Sequence, residues 1–334
     1  MPDCILTVTH CGPLVTLQDR GRPGHMRFGV PASGPMDRNA LAIANAALGN
    51  PPDACAVEVS LGGLHLTCAG APVTFALAGG GFRPEINGIP RAHWTVASLQ
   101  PGDHLAIRPG PWGSWAMLAV AGQIQSRTWL NSAATHAQSG LGGGILRPGM
   151  TLTIANPLHR PALDRDLSVP DWAGPTQDIR VVAGPQDRFF APETLTLFQS
   201  SPFTLSAAYD RMGVRLTGPR LAISTALDMP SEPVLRGSVQ VAGDGIATVL
   251  LADHQTTGGY PKIATVIAPD LDRLIQCRSG DTVRFTAITP AEAISAARAH
   301  ASALATYLAT PATTLHQRLT TQNLISGVVD ASDP

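Results

Sequence analysis

Lysine is almost missing from this chain: of 23 Lys and Arg residues, only Lys262 is a lysine. Charge of either sign is scarce, at 14% of residues with a formal net charge of −1, which excludes the broad electrostatic attraction that draws proteins to nucleic acid or to anionic membranes. Aromatic residues make up 5%, so a core must come mainly from Val, Leu, Ile and Ala. The five cysteines, Cys4, Cys11, Cys55, Cys68 and Cys277, include no CxxC pair. That argues against a disulfide framework or a zinc site and for reduced thiols in a cytoplasmic setting. No apolar run approaches the roughly 18 residues of a membrane span. The first residues, with Asp3, His10, Asp19 and Arg20, carry no secretory pattern. A Gly-x-Ser-x-Gly elbow, a Gly-Lys-Ser/Thr phosphate loop, a zinc signature and a dinucleotide fingerprint are all missing, so common hydrolase and dehydrogenase classes lose weight. The expectation is a protein with no metal, nucleic-acid or membrane partner.

Glycine (33) and proline (29) are plentiful and scattered among apolar runs, a pattern of many short strands joined by tight turns. A turn recurs three times before an alternating run: Pro101-Gly102 before His104–Ile107, Pro148-Gly149 before Thr151–Ile154, and Ser279-Gly280 before Thr282–Phe285. Pro fixes φ and Gly supplies positive φ, so each copy predicts a turn entering a half-buried strand. Short strands with frequent turns predict a mainly β, barrel-like architecture. Helices are predicted over Asp37–Leu48, stopped by Gly49, over Pro192–Phe198, and from Thr289-Pro290-Ala291-Glu292 to about Leu308. Pro157–Gln177 reads as a mid-chain linker. Thr310–Pro334 is polar and aperiodic, a tail or a partner-binding extension.

The densest polar motif surrounds the lone lysine. A buried strand delivers Asp253, followed by Gln255-Thr256-Thr257, Gly258-Gly259, then Tyr260-Pro261-Lys262. Hydroxyls, an amide and exposed backbone N–H groups in one turn suit a carbonyl or carboxylate oxygen, and the ammonium of Lys262 can neutralise charge developing there. The same residues equally suit a tight barrel connection. A second motif, Gln18-Asp19-Arg20-Gly21-Arg22 through Ser33-Gly34-Pro35-Met36-Asp37, forms a long loop entering the first helix. Ser33 or Asp37 is a natural N-cap, and Arg22 near that helix start can hold an anion. Glu58, in an otherwise apolar strand, needs a cationic partner, for which Arg20 and Arg22 are the candidates. A glycine-rich loop, Ser139–Gly144, follows His136, a possible acid or base that in isolation is more often a bystander.

Taken together, Val15–Gly24, Gly29–Asp37, Val57–Gly63, Tyr209–Pro219, Gly237–Val241 and Ala252–Val266 resemble the KipA family, also called allophanate hydrolase subunit 2 or the 5-oxoprolinase C subunit. The same module forms half of the carboxyltransferase domain of urea carboxylase. The strongest signatures are Gly-Val-Pro-x-Ser-Gly-x-Met-Asp and Gln-Thr-Thr-Gly-Gly-Tyr-Pro, and the resemblance runs from about Leu6 to Ala293. It implies two cyclophilin-like β-barrel subdomains, 1–165 and 176–309, with a few short helices and a tail at 310–334. It implies two partners, a KipI-like B subunit plus a further A subunit, hydrolysing 5-oxoproline to glutamate with ATP bound through the complex. The alternatives are a biotin-dependent carboxyltransferase acting on urea or a related amide, and a non-catalytic antagonist of a KipI-like kinase inhibitor. Biotin must come from another chain, since there is no Met-Lys-Met attachment site. The resemblance implies catalytic roles for Lys262, Asp253 and Gln255. Substrate contacts are expected from Thr256, Thr257, Gly258, Gly259, Tyr260, Gln240, Ser33, Arg22 and His136. The chain departs from the family at Ala242 and Ala247, where prolines are usual, and at Leu141, where a Phe is usual.

Overall fold

The computed structural model describes residues 2–224 and 229–309. The tail expected at 310–334 lies outside the described residues. The turn motifs do what their chemistry requires. Gly102, Gly149 and Gly280 take φ of 93°, 88° and 94°, and the strands His104–Arg108, Thr151–Ala155 and Thr282–Ala287 begin within two residues of them.

The fold is mainly β. In the first part of the chain a seven-stranded sheet runs through Thr151–Ala155, Cys4–Cys11, Leu64–Gly70 and His104–Arg108 as successive neighbours. A six-stranded sheet runs through Thr95–Leu99, Val73–Ala78, Trp115–Val120, Ala56–Ser60 and Thr16–Gln18. Leu6, Leu66 and Ile107 of one sheet meet Val57, Phe75 and Leu118 of the other in a single core. The six-stranded sheet is covered on its outer face as well, where Ala76, Met117 and Ala119 pack on Leu41, Ile43 and Leu48 of the helix Arg38–Leu48. That double coverage explains why Val73–Ala78 and Trp115–Val120 are buried at every position and do not alternate. In the second part, seven strands close into a barrel: Asp178–Ala183, Lys262–Val266, Ser238–Val241, Ala247–Leu250, Gly213–Thr217, Pro202–Tyr209 and Thr282–Ala287. The closing pair, Asp178–Ala183 with Thr282–Ala287, is parallel. Among the described residues no helix is long and apolar enough to cross a membrane.

The helix signals are realised in detail. Asp37, not Ser33, is the N-cap of Arg38–Leu48, accepting from the Ala40 amide at 2.8 Å. Thr289 and Glu292 form a capping box at the head of Pro290–Ala309, with Glu292 accepting from the Thr289 amide and Thr289 Oγ1 from the Glu292 amide. The proline-rich segment read as a linker is ordered along the first part up to Leu167 and reaches the second at its end, where Arg273 donates to the Gly174 carbonyl and the Arg284 amide to the Gln177 carbonyl. Thr74 N–H donates to the Leu158 carbonyl, and Arg165–Asp166 adds an edge strand beside Thr95–Val96. A helix at Ala268–Leu274 was not expected.

The two parts meet at a buried charge cluster, and here one expectation is corrected. Glu58 is fully buried and pairs with neither Arg20 nor Arg22; its partner is Arg211. Arg20 instead faces Asp53 at the surface, 3.6 Å away. The Arg211 guanidinium also binds both Asp253 carboxylate oxygens, at 2.8 and 2.9 Å, and the Gly34 carbonyl at 2.7 Å. Burial pulls the Arg211 pKa down, but the Glu58 and Asp253 carboxylates outweigh it and hold the guanidinium above its ordinary value. Nearby, Gln276 receives the Ser114 amide at 3.0 Å and donates to Asp37 at 2.7 Å. Arg236 donates to the Pro35 and Met36 carbonyls and to Asp272.

Two outcomes are expected. Arg211→Met strands two buried carboxylates without a counter-charge and costs about 3–5 kcal/mol of stability in chemical denaturation; a loss below about 1 kcal/mol contradicts the cluster's role. Burial, reinforced by Asp272, pushes the Asp37 carboxyl up to about 7. Its folded pKa exceeds its unfolded value of about 3.9. The contribution of this group is therefore full below about pH 4 and lost as pH rises through 7. Asp37→Asn keeps a capping oxygen, so melting temperature should fall less steeply in the variant than in the parent between about pH 5 and pH 8.

Candidate functional site

Lys262 opens a barrel strand, and its backbone is fixed from two sides. Its register partner across the barrel is Gln240, beside a bulge between Val239 and Gln240. Its amide donates to Gln186 Oε1 at 3.0 Å. Lys262 is 4% exposed, and among the described residues its ammonium makes no hydrogen bond. Among the described residues the nearest carboxylate is Glu232, at 3.8 Å. Glu232 is oriented by the Gln186 carboxamide, which donates to the same oxygen. A buried ammonium without an acceptor is costly in a folded protein, and it has unused N–H bonds to offer a ligand.

Two more carboxamide contacts surround it. Gln255 donates to Gln240 Oε1 at 3.0 Å, and Gln240 donates to the Tyr260 carbonyl at 3.4 Å. Thr257–Gly258 pairs with Glu232–Pro233 as a small separate ribbon, which brings the polar loop back over the lysine. Gly258 lets the loop lie close on the carboxamides, since a Cβ there would stand 2.6 Å from Gln240 Nε2 and displace it. The loop therefore gathers Lys262, Gln240 and Gln255 with Glu232 and Gln186. Thr256 and Gly259 are half-buried, while Thr257 and the Tyr260 ring lie at the surface. Asp253 points elsewhere, held in the Arg211 cluster with both oxygens occupied.

Arg22, Ser33 and His136 form a second group. The Arg22 amide donates to the Ala32 carbonyl at 2.8 Å, beside Ser33, and its guanidinium donates to the Ala134 carbonyl, two residues before His136. All three side chains are buried. Gln186, Glu232 and Arg211 were not anticipated as functional residues. Arg211 lies in the family-like stretch Tyr209–Pro219, which was the one available signal; Gln186 and Glu232 sit in ordinary turn and ribbon sequence.

A model of the carboxyltransferase domain, subdomains A and B, matches residues 28–287. The chain belongs to this family. It is 35% identical to the 5-oxoprolinase C subunit of Haemophilus influenzae over 283 residues, covering 83% of this chain and 89% of that protein. It is 33% identical to the Escherichia coli 5-oxoprolinase C subunit over 297 residues, 87% and 94% of the two chains. The solved structure of the K. lactis urea amidolyase superposes with a TM-score of 0.81 at 25% identity, over 92% of this chain and 20% of that one.

Gly184 gives a direct test of how tightly the lysine is held. A Cβ at Gly184 would stand 2.0 Å from the Lys262 carbonyl oxygen, and backbone on both sides leaves no flexible neighbour to yield. Gly184→Ala should therefore cost about 1–3 kcal/mol in urea denaturation; a neutral result means the two segments are not in fixed contact.

Proposed function

We propose that this chain is the C subunit of an ATP-dependent 5-oxoprolinase, opening the lactam of 5-oxoproline to glutamate together with a KipI-like B subunit plus an A subunit. The observation that carries this reading is the buried, unbonded Lys262 ammonium beside Glu232 and ringed by carboxamides. A buried ammonium with only a 3.8 Å carboxylate contact costs stability that a pure binding module gains nothing by carrying. In this reading Lys262 stabilises negative charge on the lactam oxygen as the ring opens. Gln255 and Gln240 hold the amide, Glu232 positions the ammonium or accepts a proton, and Thr256, Thr257, Gly258, Gly259 and Tyr260 form the rim. Asp253 anchors the loop through Arg211. Arg22, Ser33 and His136 supply further substrate contacts. Residues 1–165 and 176–309 are the two subdomains, ATP is bound through the complex, and the cytoplasm is the setting. The names of the bacterial relatives and their near-full coverage support it.

The likeness to urea amidolyase favours one second reading, a carboxyltransferase component acting on urea or a related amide with biotin carried by another chain. The same ammonium and carboxamides suit both, because each reaction builds charge on an amide-type oxygen.

The assay is ATP-dependent glutamate release from 5-oxoproline by the assembled complex. Lys262→Ala should lower turnover by about 10²–10³-fold while partner co-purification is retained. Lys262→Arg should not rescue it, because a planar fork does not replace a compact ammonium. Near-normal turnover in Lys262→Ala removes the lysine from the mechanism.

A further inference from the structure

The group around Arg22 holds more unused hydrogen-bonding capacity than its burial allows. Arg22 is 2% exposed, and among the described residues its Nε and Nη1 have no hydrogen-bond partner and only Nη2 is engaged, with the Ala134 carbonyl. The Trp129 ring lies 5.6 Å from the guanidinium carbon and provides an apolar wall. Among the described residues no carboxylate lies within ion-pair distance of Arg22. The nearby Asp19 is already filled, by the Gly21 amide, the Ser132 hydroxyl and the Ala133 amide.

Its neighbours add donors of the same kind. The Ser139 amide donates to His136 Nδ1 at 3.3 Å, so the neutral ring carries its proton on Nε2. That Nε2 is buried and unpartnered. Ser33 is 3% exposed with its hydroxyl unpartnered, and its φ of 54° lies in the left-handed region that favours glycine. Gln18 donates to the Thr135 carbonyl at 3.1 Å, which leaves its own Oε1 unpartnered as an acceptor in the same neighbourhood. One fixed positive charge, two neutral donors and one acceptor are thus left open by three loops that are tied together through their backbones.

We propose that Arg22, His136 and Ser33 form a subsite for a small carboxylate-type monoanion, with Gln18 accepting from a donor on the same ligand or from water. Charge decides the class. A single guanidinium balances one negative charge, and the neutral donors beside it add hydrogen bonds without adding charge, which suits a monoanion better than a phosphate dianion. The chemistry is shared by two sources, the carboxylate of an organic acid such as 5-oxoproline and bicarbonate. The choice between these sources rests on the function proposed above; the oxyanion subsite does not.

The test is calorimetric titration of the full-length protein with formate, 5-oxoproline and bicarbonate in turn, at constant ionic strength in chloride, with phosphate as a competitor. At least one carboxylate-type anion should bind. Arg22→Gln should weaken it by about ten-fold or more, as loss of a charged hydrogen-bond donor requires. His136→Asn keeps an acceptor for the Ser139 amide and removes only the Nε2 donor, so it should weaken binding in a chain that still folds. Anion binding lost in Arg22→Gln but kept in Lys262→Ala assigns the anion to this subsite, and loss of turnover in Lys262→Ala with that binding intact separates the subsite from the lactam-opening reading; anion binding lost in Lys262→Ala alone places the anion at the lysine and overturns the proposal. Tighter binding of 5-oxoproline than of formate identifies the substrate carboxylate; tighter binding of bicarbonate identifies the inorganic source. Binding of phosphate alone, no binding of any carboxylate-type anion, or affinity unchanged in both Arg22→Gln and His136→Asn overturns the proposal.

Discussion

The Arg211 guanidinium is the contact on which the geometry of both polar groups depends. It joins Glu58 from the six-stranded sheet, the Gly34 carbonyl from the loop ahead of the first helix, and Asp253 from the end of a barrel strand. Removing three charges from water is expensive, and such a cluster is tolerated when the geometry fills nearly all donors and acceptors. Arg211 meets that condition. Its Nε, Nη1 and Nη2 are all engaged, and Glu58 also receives the Met36 amide at 2.5 Å. The consequence is positional. Asp253 is pinned at the start of the Gln255–Lys262 loop, and Gly34 is pinned beside Ser33. Each end of the cluster therefore sets the departure point of one polar loop.

What the sequence made legible was local. The Pro-Gly and Ser-Gly turns, the Asp37 cap and the Thr289–Glu292 box are each written within a few residues, and each appears in the fold. The helix Ala268–Leu274 has no capping side chain, its N-cap being Ile267, and its signals are weaker ones, Pro269 near the start and Asp270 in the first turn. Pro157–Gln177 has a linker's composition, but its two-residue edge strand Arg165–Asp166 lies between the prolines and was too short to read from the sequence. The lone lysine and the Gln-Thr-Thr-Gly-Gly-Tyr-Pro run marked the candidate loop, and Lys262, Gln240 and Gln255 do come together there. The rest was invisible because it is long-range. Glu58 and Arg211 are 153 residues apart, and Gln186 and Lys262 are 76 apart. A buried carboxylate announces that it needs a cation, but its own sequence cannot say which.

The three buried cations of this region behave differently, and the difference sorts structure from chemistry. Arg211 has its nitrogens occupied and two carboxylates in contact. Among the described residues Lys262 has one carboxylate at 3.8 Å and no hydrogen bond from its ammonium. Arg22 has no contacting carboxylate among the described residues and two open nitrogens. Burial lowers the Arg22 pKa, and only the more distant Asp19 and Asp253 oppose it. The Arg211 cluster carries one more negative than positive charge, so Asp253 acts twice, by contact on Arg211 and through space on Arg22. The excess negative charge at the junction helps to keep an otherwise unpaired guanidinium ionised. Arginine suits that position, because it stays charged under desolvation and presents donors in fixed directions. Lysine suits the other, where a single compact charge must sit among carboxamides that already hydrogen-bond one another. A chain that has otherwise replaced lysine by arginine thus keeps its one ammonium at a place where a five-donor fork would leave still more N–H groups unsatisfied.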